Sequence, residues 1–590
     1  MNDAPTSAAP SLPGTSIHKI TWTALILITL YVCYFSHLGA LGLIGPDEPR
    51  YAWIARDMAE SGDWVTPRLY GKPWFEKPAL YYWGAALSFK LFGVNETTAR
   101  LPSAIAALLA TLALAWLALR LAGWELARWL LLLLPGSIGM IGFSHAAAPD
   151  MPFAAMLTLA MVCAAVALDL VPIAALNEHA STLAQIENPT PSVFEVLNET
   201  AETLRPDATT ANTAPAPRSN AIRYASLFLF GFFLGAAVLA KGPAAVILAA
   251  GAMILWVAAT GRWRGVLRLF HPVAIGAFLL SSLPWYILCA RRNPDFFHVF
   301  IIEHNINRYL TAEFQHLQPF WYYLPITIVA LLPWVCWLAW FAFSESRAPL
   351  NELQRAQILF MAAWGFFPLL FFSLSKSKLP GYILPAIPPL LFLISLAAVR
   401  AMKSRRDFAR YAVGSAGLLW LVSGAWVYFS KTGLAGSLVF LYLLVAVLGG
   451  VAIISLAVLR HVRAGLLSSV IVLLVLLTFI YVAVGRLDPQ LSARASAAQI
   501  GTQRAAMTYS FKLQRAWQYQ LDFYLHREIP EWSPAVSGAA LLVTNQKNLA
   551  ELKNQAEIID VIPSVSPNAL ILEVRTRALT SDIAGGRQVR

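Results

Sequence analysis

The segment 45–83 concentrates charged side chains that the long apolar runs on either side of it avoid. Its charged residues include Asp47, Glu48, Arg50, Arg56, Arg68, Lys72, Glu76 and Lys77. Holding charges beside an apolar phase is costly, so charged residues at a membrane are functional candidates by default. The same segment carries Trp53, Trp64, Trp74, Tyr81, Tyr82 and Trp83. Such rings are typical of a membrane–water boundary.

Two aspartates are the candidate catalytic carboxylates. Asp47 stands before Pro49 in GPDEPRYAW, and Asp150 stands before Pro152 in SHAAAPDMPF. Two carboxylates at the same membrane face predict chemistry there. Aspartate is also a favoured helix N-cap, so each residue could cap a helix, act in catalysis, or do both.

A set of cations could bind an anion. Lys77 in WFEKPAL, Lys241 in LAKGPA, and Lys376 and Lys378 in SKSKLPGYILP stand at the ends of apolar runs. They are joined by Arg50, Arg291, Arg292 and Arg308. Lysine supplies a point charge and arginine a forked donor, which together suit a phosphate. For any single lysine, the alternative is a side chain that reaches the lipid headgroups.

A metal site is a further hypothesis. Glu76 together with His298, His304 or His316 could hold a zinc-like divalent ion, because carboxylate and imidazole are zinc ligands. No spacing enforces this arrangement, and the alternative is that these histidines lie in exposed loops. The four cysteines lie in apolar runs without metal-ligand spacing, so neither a disulfide nor a zinc framework is indicated.

Composition places the chain in a membrane. Of its 590 residues, 58% are hydrophobic and 13% charged, whereas soluble proteins carry roughly 25% charged residues. The net charge of +12 is scattered between apolar runs, which does not favour nucleic acid as a partner. At about 20 apolar residues per crossing, we expect about thirteen transmembrane helices. Their centres lie near residues 32, 112, 136, 160, 232, 250, 278, 331, 365, 389, 420, 448 and 474.

Charged loops predict the orientation of these helices. Four cationic loops fall on one side if the N-terminus is cytoplasmic, which is the positive-inside pattern. They contain Arg120 and Arg128; Arg262, Arg264 and Arg268; Arg400, Lys403, Arg405, Arg406 and Arg410; and Arg460 and Arg463. The candidate site residues then lie on the outer face. Cations kept there need another reason, and we expect that reason to be the binding of anionic groups.

The predicted domain organisation follows from these assignments. Residues 1–18 form a cytoplasmic tail, 19–486 the transmembrane domain, and 487–590 a small α/β domain outside the membrane. Within the membrane domain, 44–103 is the first outer loop with interfacial helices and 290–319 a second outer loop. The stretch 171–222 is rich in Thr, Ala, Asn and Pro, which predicts a disordered cytoplasmic linker.

Local patterns predict individual elements. Tyr51, Ile54, Ala55 and Met58 recur at helical spacing, so we expect an interfacial helix from Glu48 to Glu60, with Asp47 at its N-cap position. In the C-terminal domain, Ala540–Thr544 and Ala569–Val574 read as strands, and a short amphipathic helix is expected near Leu549–Gln555.

The motifs resemble those of a known family. GPDEPRYAWIARDM, KPWFEKPALYYW, the outer-loop Asp150, LAKGP and SKSKLPGYILPAIPPL are similar to bacterial integral-membrane glycosyltransferases of the GT-C class, within the protein O-mannosyltransferase superfamily. In that superfamily, the chain is most similar to the lipid A 4-amino-4-deoxy-L-arabinose transferases. The resemblance covers roughly residues 20 to 400.

This resemblance implies a GT-C fold and a specific reaction. The sugar would pass from undecaprenyl phosphate to a lipid A phosphate at the periplasmic face of the bacterial inner membrane, giving resistance to polymyxin and cationic peptides. Asp47 and Asp150 would be catalytic. The donor-binding residues would be Lys77, Arg50, Lys241, Lys376, Lys378, Tyr382, Tyr81 and Tyr82. We expect no required cofactor, because lysine and arginine can stabilise a leaving phosphate. We also expect a monomer.

Two alternatives differ in substrate or in class. A GT-C enzyme could transfer mannose or galacturonic acid to a protein or to lipopolysaccharide, and a protein hydroxyl would require a true general base. A lipid-linked sugar flippase would place polar residues near the bilayer midplane, often in inverted repeats. Here the charges gather at one face and the sequence has no evident repeat, which disfavours transport.

Overall fold

The computed structural model describes residues 14–172, 217–307, 318–345, 350–404, 409–430, 436–536 and 538–576. Most of the predicted linker 171–222 and the start of the predicted tail 1–18 lie outside this part of the chain. Arg308, His316, Arg405 and Arg406 lie outside it as well.

The described residues up to 172 are mainly helical. They form α1 (Gly14–Tyr34), α2 (Asp47–Ser61), strands β1 (Arg68–Leu69) and β2 (Lys72–Pro73), α3 (Leu80–Phe92), α4 (Glu96–Ala122), α5 (Trp124–Leu133), α6 (Ile138–Ser144) and α7 (Asp150–Ala167). Helices α5 and α6 together are apolar enough to span a membrane but meet at an angle of 62°.

The middle of the chain continues the helical bundle. It contains α8 (Pro217–Lys241), α9 (Ala244–Thr260), α10 (Trp263–Leu267), α11 (Pro272–Arg292), a π-helix at His298–Asn307, α12 (Tyr323–Leu331), α13 (Cys336–Glu345) and α14 (Glu352–Leu374). A 3-10 turn at Pro380–Ala386 leads into α15 (Ile387–Ser404). The last long apolar helices are α16 (Ala409–Phe429), α17 (Gly436–Val458) and α18 (Val462–Leu491).

The apolar helices fall where hydropathy predicts them. In the described part of the chain, nine helices are long and apolar enough to cross a membrane, or ten with the bent pair α5–α6. Three shorter apolar helices are Lys19–Tyr34, Ala244–Thr260 and Phe320–Leu331. They contain the expected centres at residues 32, 250 and 331. The protein is therefore a multi-pass membrane protein, and the count of about thirteen crossings stays a prediction.

The C-terminal region folds around a small sheet. Its elements are α19 (Arg494–Ala505), β3 (Thr508–Ser510), α20 (Arg515–Leu525), β4 (Ala539–Thr544), α21 (Leu549–Gln555), β5 (Ala556–Ile562) and β6 (Leu570–Thr576). The strand order is β3-β4-β6-β5. β3 pairs with β4 in parallel and the other pairs are antiparallel. Helix α21 coincides with the predicted amphipathic helix. β4 contains the predicted strand Ala540–Thr544, and β6 begins one residue after the start of the predicted strand Ala569–Val574.

Most residues of helix α2 are buried, because other elements pack against two of its faces. The predicted apolar stripe, which includes Tyr51 and Ile54, packs in one cluster with Tyr81 and Tyr82 of α3. On another face, Nη1 of Arg56 donates to the carbonyl of Phe523 in α20 at 3.1 Å. The helix was predicted correctly, and its position along the membrane interface stays a prediction. The C-terminal region covers the side that the sequence pattern leaves polar.

Two of the cationic segments that were predicted to share one side, those of Arg128 and Arg463, meet in the structure. Nη2 of Arg463 is 2.7 Å from Glu125, which also pairs with Arg128. Helix α18 begins beside this contact and runs for 30 residues, about 45 Å at 1.5 Å per residue. Near its other end, Asp488 accepts a hydrogen bond from the amide of Gly42, which precedes α2. The two ends of α18 are therefore far enough apart to reach both sides of a bilayer.

Candidate active site

Asp47 is the first residue of α2 and pairs with a cation one turn later. Pro46 occupies the N-cap position and no side chain caps the helix. The N-cap role predicted for Asp47 is therefore wrong. Its carboxylate instead contacts the guanidinium of Arg50, and 52% of its side chain is exposed. An acidic group in the first turn also interacts favourably with the helix dipole.

Arg50 is buried and connects Asp47 to a second carboxylate. Its Nη1 lies 3.1 Å from Oε2 of Glu76, and its Nε donates to the carbonyl of Pro46 at 2.9 Å. Its guanidinium also lies 5.3 Å from the ring centroid of Tyr519 in α20. Burial by itself would lower the pKa of Arg50, but the carboxylates of Glu76 and Asp47 and the nearby Tyr51 raise it overall. Arg50 therefore stays charged.

Glu76 extends this network to a lysine. Its Oε1 lies 3.4 Å from Nζ of Lys77, and both side chains are largely buried. The residues Asp47, Arg50, Glu76 and Lys77 therefore form a chain of alternating charge. The chain begins at an exposed carboxylate on α2 and ends at Lys77.

A second ion pair joins Asp150 to Lys241. The two charged atoms, Oδ1 of Asp150 and Nζ of Lys241, are 2.5 Å apart, and both side chains are mostly buried. Asp150 is the first residue of α7, but it makes no capping hydrogen bond. Lys241 is the last residue of α8. Each charge lies at the helix end whose dipole favours it.

Two glycines allow the backbone to turn or approach closely at this pair. Gly242 follows Lys241 with φ of +94°, a left-handed conformation that lets α8 end and α9 begin at once. Gly381 packs directly against the carboxylate of Asp150, so a Cβ atom there would overlap it. The motifs LAKGP and KLPGY therefore need glycine for space and for backbone conformation.

The two charge systems meet at one cavity of about 350 Å³. Five of the predicted site residues line it, namely Glu76, Lys77, Lys241, His304 and Tyr382. The ammonium of Lys241 lies 4.7 Å from the ring centroid of Tyr382, a favourable cation–π distance. Much of the remaining wall is apolar and includes Ile247, Phe371 and Phe372. The cavity therefore combines fixed charges with an apolar surface.

Other predicted donor-binding residues lie away from this cavity wall. Lys376 is exposed. Lys378 is buried, and its Nζ donates to the carbonyls of Ser375 and Gln318. Burial lowers the pKa of Lys378. Its hydrogen bonds hold the backbone around the KLPGY turn, which gives it a structural role in this conformation.

Two predicted tyrosines are core residues of the segment 44–103. Tyr81 and Tyr82 are each 1% exposed, so neither ring is open to lipid or water. The hydroxyl of Tyr81 donates to the carbonyl of Ala99 at 2.9 Å. Within the described residues, the hydroxyl of Tyr82 has no hydrogen-bond partner. Burial, and next the charge of Glu76, raise the pKa of Tyr82 well above its ordinary value.

The metal hypothesis fits these side chains poorly. The described residues contain no group of three His, Cys, Asp or Glu side chains that could hold a metal ion. Glu76 is already paired with two cations, Arg50 and Lys77, which would repel a divalent ion. His298 is mostly exposed and lies 3.4 Å from Glu303. We derive no step of the chemistry through a metal.

Sequence reasoning missed a buried pair that supports the site. Nη2 of Arg100 lies 2.7 Å from Oε2 of Glu48, and both side chains are at most 10% exposed. Glu48 also accepts the amide of Ala147, in the loop before Asp150, at 2.7 Å. Arg100 further donates to the carbonyls of Leu38, Leu41 and Gly42. This pair thus fixes α2 relative to the Asp150 loop. The sequence did offer one signal for this pair, because Arg100 is a charged residue at the start of the apolar run centred near residue 112.

The chain matches one protein-family model. The model of the dolichyl-phosphate-mannose-protein mannosyltransferase family matches residues 20–172 and 216–300. The matched region includes Asp47, Glu76, Lys77, Asp150 and Lys241. It therefore contains both charge systems that meet at the cavity.

Curated relatives match a longer part of the chain. An undecaprenyl phosphate-α-4-amino-4-deoxy-L-arabinose arabinosyl transferase of Pseudomonas aeruginosa (strain UCBPP-PA14) is 32% identical over 69% of this chain and 65% of its own length. The protein of the same name from Serratia proteamaculans (strain 568) is 31% identical over 66% of this chain and 61% of its own. The match therefore spans just under two thirds of the length of these relatives.

Two solved structures share the fold. They are crystal structures of ArnT from Cupriavidus metallidurans, one bound to undecaprenyl phosphate and one in the apo state. Each superposes with a TM-score of 0.69 at 22% identity. The alignment to the undecaprenyl phosphate complex covers 95% of this chain and 98% of that one. The chain therefore resembles the dolichyl-phosphate-mannose-protein mannosyltransferase family over residues 20–172 and 216–300, and it shares the fold of the two solved structures.

Proposed function

We propose that the protein is a glycosyltransferase that moves 4-amino-4-deoxy-L-arabinose from undecaprenyl phosphate to a phosphate of lipid A. The observation that carries this proposal is the cavity where Lys77 and Lys241 lie together with Glu76, beside Asp150. Relatives at 31% and 32% identity that are named for this sugar and carrier support the same donor.

The two lysines suit the phosphate of the donor. Both ammonium groups lie on the cavity wall in mostly buried positions, where a charge-assisted hydrogen bond is stronger than in water. The apolar wall at Ile247, Phe371 and Phe372 suits the first isoprene units of the carrier. One site can therefore hold the anionic and the apolar parts of a polyprenyl phosphate.

The carboxylates favour an amino sugar. The proposed donor carries a negative phosphodiester and a positive amino group, and the site offers cations together with Glu76 and Asp150. A mannosyl donor has no cationic group for these carboxylates to bind. A galacturonosyl donor would add a further carboxylate beside them, which like-charge repulsion disfavours.

The reaction balances without a strong base. A phosphate oxygen of lipid A attacks the anomeric carbon, and the bond from that carbon to the carrier phosphate oxygen breaks. The acceptor becomes a phosphodiester and the carrier leaves as a phosphate monoester, so charge is exchanged and no proton need be lost. Lys77 and Lys241 stabilise the charge that develops on the leaving phosphate.

Asp150 and Asp47 orient the reactants in this scheme. Asp150 holds Lys241 through their ion pair and binds the amino group of the sugar. Its negative charge also stabilises the positive charge that develops at the anomeric carbon. Asp47 is half exposed, and through Arg50 it fixes Glu76, so it directs the acceptor or the sugar at the mouth of the site.

We place this reaction at the periplasmic face of the bacterial inner membrane, with the protein acting as a monomer. The positive-inside pattern of the loops supports this orientation. Adding an amino sugar to lipid A phosphate reduces the net negative charge of the outer surface. That reduction weakens the binding of polymyxin and other cationic peptides, so the expected phenotype is resistance to them.

Donor choice tests the proposal. Purified full-length protein in lipid nanodiscs is supplied with lipid A and either undecaprenyl phosphate-linked 4-amino-4-deoxy-L-arabinose or undecaprenyl phosphate-linked mannose. We expect transfer from the first donor and at least about tenfold less from the second. Equal use of both donors would contradict the role given to Glu76 and Asp150. Transfer from the mannose donor alone would show that the proposed sugar is wrong.

A further inference from the structure

A second cationic cavity lies at the start of α18. It has a volume of about 720 Å³ and is bounded by the end of α15, the start of α16 and the connection from α17 to α18. Its wall residue Arg463 lies 2.7 Å from Glu125. Asp488, near the far end of α18, contacts Gly42 beside α2. Since α18 is long enough to cross a bilayer, this cavity and the candidate active site cannot hold the same phosphate headgroup.

The wall of this cavity is basic and apolar. Its basic residues are Arg410, Arg460 and Arg463, with the imidazole of His461 beside them, and its apolar residues include Met402, Leu459 and Leu467. Among the described residues that line it, none is acidic. Glu125 pairs with Arg463, but the same carboxylate also pairs with Arg128. The described wall residues therefore carry more positive than negative charge.

Arg410 contacts the neighbouring Tyr411, and one of its buried donors has no hydrogen-bond partner within the described residues. Its Nη2 lies 2.9 Å from the hydroxyl of Tyr411, and its guanidinium lies 4.8 Å from the centroid of that ring. Its Nε is buried and has no hydrogen-bond partner within the described residues. A buried donor without a partner is costly, which points to an acceptor that completes the site. Positive charge alone would set membrane orientation without requiring such a pocket.

We propose that this cavity binds the phosphate headgroup of an anionic phospholipid. A guanidinium fork and neighbouring cations suit a phosphate oxygen. Basic pockets between transmembrane helices at a membrane surface bind such headgroups. The apolar residues Met402, Leu459 and Leu467 give the glycerol and the first acyl carbons a surface that free phosphate would not need. A metal ion is disfavoured by the same cations.

Lipid titration of the full-length protein tests this site. Native mass spectrometry of detergent-purified protein measures binding of phosphatidylglycerol, with zwitterionic phosphatidylcholine as the reference lipid. Arg410→Gln combined with Arg460→Gln removes two cavity cations. Arg264→Gln removes an exposed cation of α10 that does not line the cavity. Thermal unfolding and gel filtration check that each protein is folded, and Arg410→Gln alone replaces the double variant if that variant does not fold.

We expect the cavity variant to bind phosphatidylglycerol at least about tenfold more weakly than wild type, which corresponds to the loss of about 1.4 kcal/mol. Arg264→Gln and the binding of phosphatidylcholine should not change. Equal phosphatidylglycerol binding by all three proteins would overturn the proposal. Inorganic phosphate in large molar excess should leave the lipid bound. Displacement of the lipid by that excess would show that the site takes the free anion, and would overturn the lipid assignment.

Discussion

Nζ of Lys241 lies 2.5 Å from Oδ1 of Asp150, which joins the end of α8 to the start of α7 at the wall of the charged cavity. The chain from Asp47 through Arg50 and Glu76 reaches the same cavity at Lys77. Two carboxylate–lysine pairs from distant parts of the sequence thus face one space. The phosphate of a donor can pair with the two lysines, and its amino group can pair with the two carboxylates.

Replacing Asp150 by asparagine should abolish most transfer. The Asp150→Asn side chain keeps its size but loses the charge that pairs with Lys241, and losing a charged contact in the transition state costs about a hundredfold to a thousandfold in rate. Asp169→Asn is the matched control, because Asp169 also pairs with arginines but at the opposite end of the bundle. Transfer near the wild-type rate by Asp150→Asn, at normal membrane levels, would remove Asp150 from the chemistry.

Replacing Lys77 by alanine should weaken donor use. A charge-assisted contact is worth about 1.5–3 kcal/mol, so the apparent donor affinity should fall at least about tenfold. Lys376→Ala is the control, because Lys376 is exposed and does not line the cavity. Titration of each variant with the donor measures the apparent donor affinity and tests this prediction. An equal loss in the two would mean that the cavity does not select between these lysines.

Breaking the Glu48–Arg100 pair should destabilise the protein. Removing one partner of a buried ion pair costs about 3–5 kcal/mol, so Arg100→Gln and Glu48→Gln should each lower the unfolding temperature. The double variant should lose less than the sum of the two single losses. The exposed pair Lys512–Glu551 is the control, and Glu551→Gln should cost about 1 kcal/mol or less. If the losses of stability in the two single variants add up in the double variant, the proposed coupling between Glu48 and Arg100 is contradicted.

Asp522 should make the stability of the C-terminal region depend on pH. Burial raises the pKa of Asp522 to about 6, although its hydrogen bond from Tyr70 at 2.6 Å opposes this shift. In the unfolded chain its pKa is about 4. The folded protein therefore binds more protons between these values. The resulting stability is present below about pH 4 and is lost as the pH rises through about 6.

Thermal unfolding of wild type and Asp522→Asn between about pH 4.5 and 7.5 measures this effect. The stability of wild type relative to the variant should decrease as the pH rises. Asp560→Asn changes an exposed aspartate of β5 and serves as the control. A wild-type advantage that grows with pH would show that the assigned direction of the pKa shift is wrong.

The sequence was sufficient for elements that depend on local pattern. The spacing of Tyr51, Ile54, Ala55 and Met58 predicted α2, because helical periodicity is a local property. Hydropathy placed the long apolar helices for the same reason. The pairing of Asp150 with Lys241 was not predicted as such, but both residues were selected because they stand at the outer ends of apolar runs.

The remaining features depend on tertiary packing. Lys77, Lys376 and Lys378 have the same chemistry and similar surroundings in sequence, and only the fold directs Lys77 to the cavity and Lys378 to backbone carbonyls. The covering of α2 by the C-terminal region rests on contacts such as the one from Nη1 of Arg56 to the carbonyl of Phe523. Residues so far apart in sequence give no local signal of their contact.

Mass spectrometry of lipid A tests the central claim most directly. Cells that lack any other aminoarabinose transferase express wild type or Asp150→Asn, and their lipid A is compared after equal membrane levels have been verified. We predict one or more pentosamine groups on lipid A phosphate with wild type and almost none with Asp150→Asn. Unmodified lipid A in cells that contain the wild-type protein and a supply of the undecaprenyl phosphate-linked donor would contradict the proposed function.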